Sequence, residues 1–342
     1  MKVLEMPYPP ITSFPRNANI IAILATHHAY KDWLYSNHIQ LHISKEKDED
    51  YYWLMFYQPL ARIIYPLINR QYISRELIRK NNINIIEFIK NAIDTSSYVY
   101  LCVDTFFVPA YEHYGRLHLY HDLFIYGYDP VEDVFFAADF FQNGKYSFEK
   151  VSFVQLLNAY ESSYADRNSE NFDVQALQVN HQSSFRLDIP FIIESLEDYI
   201  NSTNTSVKYK MVSEPLDGEF IFGMNIYPVL YVCIETHEYE AWILKALHVL
   251  CDHKKLMAER VKYLLTEKIV VKESEALIAS FDEINRQMFS IRNIYIKYFV
   301  TKEIGIRNIV VKNLKQLSMR EEINIRQLVA EIGGALGGPV LP

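Results

Sequence analysis

The sequence predicts an α+β fold in two parts, a first half in which helices give way to strands and a second half that is largely helical. Three observations carry this. Residues 1–160 run in the order helix, mixed segment, helix, strands. From Glu238 onward apolar residues recur at helical spacing over long stretches. The 342 residues include 26 Tyr and 20 Phe but only 10 Gly, which suits packed layers rather than a linker-rich array.

Residues 17–35 read as one helix, with Ile20, Ile21, Leu24, His27 and His28 near helical spacing, Asn17 placed to cap it and Pro15 closing a Pro-rich lead-in. Residues 38–44 alternate as a strand, and 51–68 are apolar and mixed. Residues 84–94 form a short amphipathic helix, with Ile85, Ile86, Phe88, Ile89 and Ile93 mostly to one side. Tyr98 to Val108 and Leu123 to Tyr128 are rich in β-formers, Asp129-Pro130 with Glu132 and Asp133 makes a turn, and Val134 to Ala138 returns as a strand. Phe148 to Tyr160 reads as helix. The polar stretch 161–171 marks a boundary, giving domains at 1–165 and 166–332. In the second, 172–235 mix strand and helix, and 238–267, 273–300 and 307–332 predict helices. The last ten residues, 333–342, hold four of the ten glycines and read as a flexible tail, or as a recognition tail partly similar to double-glycine leader peptides.

A net charge of −8 offers no basic face for phosphates, so no nucleic-acid partner is expected. Cys102, Cys233 and Cys251 are odd in number and show no CxxC spacing, which points to a reducing compartment. Pro7, Pro9, Pro10 and Pro15 interrupt the N-terminal stretch, so no secretion signal is expected there. No apolar run approaches a membrane span, and the expected location is the cytoplasm.

The stretch 121–140, HDLFIYGYDPVEDVFFAADF, carries the chemistry. His121 opens a strand, a tight turn follows, and Asp139 ends the return strand, so the hairpin brings the two together. A carboxylate there accepts from one ring nitrogen of His121, fixes the tautomer and leaves the other nitrogen as a base, as an activated cysteine requires.

This hairpin resembles that of papain-like cysteine enzymes, double-glycine-processing peptidases among them. The longer stretch 103–129, VDTFFVPAYEHYGRLHLYHDLFIYGYD, resembles the N-terminal domain of the butirosin biosynthesis protein H family, whose relatives occur in gene clusters for nonribosomal peptides. Residues 222–230 (FGMNIYPVL) and 248–264 (HVLCDHKKLMAERVKYL) are similar to those relatives too. The resemblance implies a papain-like N-terminal domain. It also implies transfer of an acyl group from a carrier-protein thioester to an amine through an acyl-cysteine. The family's cysteine precedes the first long helix, where the helix dipole lowers its pKa. Here that position is Pro15, and no cysteine occurs before Cys102. No Gln precedes the helix to serve an oxyanion. Ser13, with Thr12 behind it, is the nearest hydroxyl.

Two readings follow. In one, the nucleophile is lost and the chain binds a carrier protein or peptide without catalysis. In the other, an acyltransferase uses His121 and Asp139 with Ser13 or another group. Asp104, Arg16 and Asn17 are the expected substrate contacts, although Asp104 suits a turn or cap equally. No cofactor is expected, and the sequence leaves the oligomeric state open. His113, His118 and His121 match no zinc spacing, so no metal is expected. His248 and His253 lie off a shared helical face, Cys102 reads as an inert core thiol, and Asp252 to Lys255 read as a solvated helix face.

Overall fold

The computed structural model describes residues 1–45, 52–59, 65–162, 174–211, 214–216, 218, 220–236, 240–270 and 275–335. The chain folds into two compact units, each discontinuous in sequence: Met1–Tyr30 with Ile63–Phe185, and Lys31–Arg62 with Arg186–Pro342. The architecture is α+β, a sheet-based first unit and a second unit dominated by long helices.

The first unit is built on an antiparallel sheet of seven strands among the described residues. These are β1 (Lys2–Val3), β4 (Ile68–Ile73), β5 (Tyr98–Asp104), β6 (Tyr120–Asp129), β7 (Val134–Gln142), β8 (Lys145–Ser152) and β9 (Val174–Val179). The order is β4-β9-β5-β6-β7-β8, with β1 paired to β6. The first unit therefore extends past residue 165, because β9 sits between β4 and β5, and it omits 31–62, which belong to the second unit. Of the polar boundary stretch 161–171, Glu161 and Ser162 are described and 163–171 lie outside the described residues.

Four helices of this unit are α1 (Pro15–Leu24), α3 (Arg75–Lys80), α4 (Ile85–Asp94) and α5 (Phe153–Glu161). The expected helix over 84–94 forms, capped by Asn84, whose Oδ1 accepts from Ile86 N and Glu87 N. Its Ile85, Ile86, Ile89 and Ile93 are buried against Val99, Leu101, Leu123 and Ile125 on one sheet face. The single helix expected over 17–35 is instead two, α1 and α2 (Tyr30–Ser36), the latter in the second unit. Local side-chain bonds break it: Thr26 Oγ1 donates to Ile23 O at 2.7 Å, and Ala29 N donates to His27 Nδ1 at 3.0 Å. The helix expected from Phe148 begins only at Phe153. Residues 145–152 are drawn into the ladder as β8, and a capping box of Ser152 and Gln155 then starts α5.

The second unit carries a three-stranded sheet among the described residues, β10 (Ile221–Phe222), β2 (Leu41–Lys45) and β3 (Tyr52–Phe56), in the order β10-β2-β3. Its helices are α2, α6 (Ile189–Ile200), α7 (Ile226–Thr236), α8 (Glu240–Thr266), α9 (Glu275–Thr301) and α10 (Ile304–Ala335). The expected tail begins inside α10, which runs through Ala335; residues 336–342 lie outside the described residues. Asp252, His253 and Lys254 are buried rather than solvated. Lys254 Nζ donates to Glu321 Oε1, Tyr199 Oη and His253 Nδ1 at 2.5, 3.1 and 2.9 Å, so its three donors are satisfied inside the unit. Among the described residues no helix is long and apolar enough to cross a membrane. All three cysteines are free and buried.

Candidate functional site

Strands β6 and β7 meet across the turn at Asp129–Asp133, where Asp129 Oδ1 accepts Val131 N at 2.9 Å and Asp133 takes a positive φ of 54°. The register runs Asp129↔Val134 to Phe124↔Ala138 with a bulge around Tyr126. Beside the bulge, Gly127 lets β1 approach: a Cβ there would lie 2.8 Å from Lys2 O. This hairpin delivers the expected pair. His121 Nδ1 lies 2.6 Å from Asp139 Oδ2, with the imidazole 37% exposed and the carboxylate fully buried.

A third group joins them. Tyr111 Oη donates to the same Asp139 Oδ2, and its ring packs edge-on to His121 at 5.7 Å between centroids. Burial and the Asp139 carboxylate hold the Tyr111 hydroxyl well above its ordinary pKa, so it stays a donor. Asp139 Oδ1 is buried with no hydrogen-bond partner among the described residues. Burial pulls the His121 pKa down, but Asp139 and Asp122 outweigh it and raise the value from 6.5 to about 9. With Nδ1 bonded to the carboxylate, His121 is an imidazolium at neutral pH and presents Nε2–H as a donor.

Neighbouring Asp122 makes a second cluster. Tyr100 Oη donates to Asp122 Oδ2 at 2.5 Å. Burial raises the Asp122 pKa, against the pull of Tyr100, His121 and Arg16. Arg16, in the first turn of α1, therefore acts electrostatically on Asp122. Asn17 is half-buried inside α1, and the cap position expected for it is Phe14, which makes no side-chain cap bond.

Pro15 is the first residue of α1. It sits where the resemblance places a nucleophile, and it supplies neither a nucleophile nor an N–H. Ser13 is half-buried two residues ahead. Ala18 of α1 packs with Ala138 and Tyr146. Strand alternation sends Asp139 to the other face, where Ala137, Phe141 and Tyr111 join the main core. Helix α1 and the His121–Asp139 pair thus pack on opposite faces of β7.

Asp104 ends β5 and is fully buried. Its Oδ1 accepts Phe106 N at 3.1 Å, capping a short 3-10 turn, and its Oδ2 accepts from His118 Nδ1 at 2.7 Å and Ser162 Oγ at 2.6 Å. Its partner His118 stacks its ring on Phe106 at 4.0 Å and is 37% exposed. The two histidines are thereby committed to separate carboxylates. Among the described residues no group of three or more His, Cys, Asp or Glu side chains could hold a metal ion.

The sequence singled out His121, Asp139 and Asp104 but not their partners Tyr111 and Ser162 or the neighbouring Tyr100 and Asp122. Asp122 carried a signal, since it directly follows His121 and pairs with Cys102 across β5. Tyr111 and Ser162 carried none, being brought in by loops and helix ends. No family model matches the chain, and no curated protein matches it.

Proposed function

We propose that this chain is a papain-like, non-catalytic relative of the butirosin biosynthesis protein H family. On this reading it is a cytoplasmic accessory protein of peptide natural-product biosynthesis that binds a carrier protein or a peptide. The observation that carries it is the 2.6 Å pairing of His121 with the fully buried Asp139. A base that activates a hydroxyl must be neutral, whereas Asp139 and Asp122 hold this imidazole as a cation at neutral pH. A cationic Nε2–H donor on a buried, Tyr111-braced carboxylate suits hydrogen bonding to a ligand carbonyl or carboxylate. Two further features agree. Pro15 occupies the position where the resemblance places the nucleophile, and α1 packs on the face of β7 away from Asp139. The buried thiols Cys102, Cys233 and Cys251 are no substitute nucleophiles.

Incubation of the full-length protein with an acylated carrier protein, followed by intact-mass spectrometry, tests this reading. The expected result is an unmodified mass, together with a carrier complex detectable by sedimentation. An acyl adduct that disappears in Ser13→Ala would replace it with the serine acyltransferase.

A further inference from the structure

Three imidazoles gather just past the end of α1, outside the His121–Asp139 site. His27 is buried, and its ring stacks 4.3 Å from that of His28 and 5.7 Å from that of His181, which follows β9. His28 and His181 are exposed, and all three belong to the first unit.

The hydrogen bonds of His27 fix it as a neutral ring. Its Nδ1 accepts from Ala29 N at 3.0 Å, so that nitrogen carries no proton, and its Nε2 donates to Asn180 O at 3.1 Å. The neutral ring thereby ties the link after α1 to the turn after β9. The far side of the tie is itself anchored: Asn180 O also takes Ser183 N and Ser183 Oγ at 3.0 and 2.7 Å, and Asn180 N donates to Leu67 O at 2.9 Å. A second proton on His27 would enter at Nδ1. There it meets the Ala29 N–H, so a buried donor loses its acceptor and two donors face each other.

Nothing nearby holds that charge. The titratable groups acting on His27 are His28, from its own loop, and His181, from the turn after β9. No carboxylate acts on it, and His28 and His181 make no hydrogen bond or ion pair among the described residues. Burial lowers the His27 pKa from its ordinary 6.5, and His28 and His181 lower it further, against the backbone at Asn180 and Ser183. His121 is the opposite case, since a buried carboxylate meets its Nδ1 where a backbone donor meets that of His27. Because the folded value is lowered, the contribution of His27 is fully present above about 6.5 and is lost as pH falls below it.

We propose that the His27, His28 and His181 stack is an acid-opened latch, which holds the link after α1 on the turn after β9 while His27 is neutral and releases both when that ring takes up a proton. The released stretches, Ala25–Ala29 and Asn180–Ser183, directly precede two of the points at which the chain leaves the first unit, Tyr30–Lys31 and Phe185–Arg186. The latch does not depend on the chemistry of His121.

Hydrogen exchange of the full-length protein between pH 7.5 and 5, corrected for the intrinsic rates and read by mass spectrometry, tests it. Protection of 25–29 and 180–183 should hold down to about pH 6.5 and then fall by up to about tenfold per pH unit, with β5 and β6 still protected. In His27→Asn, whose Oδ1 can accept from Ala29 N without titrating, protection should not vary with pH. In the double variant His28→Gln with His181→Gln, which keeps both bonds of His27, the loss should shrink. Protection that is flat with pH in the wild type, or a pH-dependent loss that persists in His27→Asn, overturns the proposal. So does loss of β5 and β6 together with the latch, which marks global unfolding. If His27→Asn exposes the loop at every pH, the double variant decides, and an undiminished loss there overturns the latch.

Discussion

Asp139 Oδ2 takes donors from both Tyr111 and His121, and this sharing sets the charge of the site. A neutral partner in place of the carboxylate would remove Asp139 and leave burial opposed by Asp122 at the imidazole. The histidine resonances should therefore show His121 titrating near 9 in the wild-type protein and clearly lower in Asp139→Asn. The linkage follows in sign. Because the folded pKa is raised, the pair's contribution to stability is fully present below about 6.5 and is lost as pH rises through about 9. An unfolding midpoint that falls across that window in the wild type, and falls less in Asp139→Asn, is the expected result; a wild-type His121 titrating near 6.5 would undo the cationic reading. The pair itself was legible in the sequence because a hairpin brings the ends of its strands together. Tyr111 was not, since it lies 28 residues from Asp139 and nothing local points its hydroxyl inward.

At the level of elements, local capping signals read well and tertiary overrides did not. Asn84 and the amphipathic spacing after it fixed α4. The same reasoning placed a helix at Phe148, where the free edge of β7 captures residues 145–152 instead. The charged run Asp252 to Lys255 misled in the same way. It reads as a solvated face, yet α8 is enclosed, and Lys254 becomes the hub linking α6, α8 and α10 through Tyr199 and Glu321, while Tyr227 of α7 donates to Glu321 Oε2 at 2.6 Å. Burial pulls the Lys254 pKa down and Glu321 holds it up. Removing one partner strands the other charge without water. Lys254→Met should therefore lower unfolding stability by about 3–5 kcal/mol, and Lys254→Met with Glu321→Leu should recover a large part of that loss. Urea titrations of the three proteins decide it: a single variant within about 0.5 kcal/mol of wild type, the range of an ordinary surface substitution, would show that the network carries no such burden.

At the scale of the whole molecule, the two-part organisation was legible and the path of the chain was not. A boundary near 165 follows composition, but the chain passes between units at Tyr30–Lys31, Arg62–Ile63 and Phe185–Arg186, so no single cut leaves both units whole. Sequence order hides this because long-range strand pairing leaves no local trace: β9 inserts between β4 and β5 through the registers Ile68↔Val179 and Tyr98↔Leu177. The second unit depends on the early segment in the same manner. Arg260 is fully buried, and its Nε donates to Tyr35 O at 2.8 Å and its Nη2 to Asn37 O at 2.6 Å. His253 Nε2 lies 2.8 Å from Ile39 O. A fragment of residues 186–342 loses all three carbonyls together with β2 and β3, leaving the buried Arg260 guanidinium without its Tyr35 and Asn37 acceptors, at a cost of several kcal/mol. That approaches the whole stability of a typical domain. The fragment should bind a hydrophobic dye, keep far-ultraviolet helix signal and melt without cooperativity. Adding a synthetic peptide of residues 31–62 in trans should restore a cooperative transition. A cooperative melt of the fragment alone would show instead that the long helices suffice and that the early segment only decorates them.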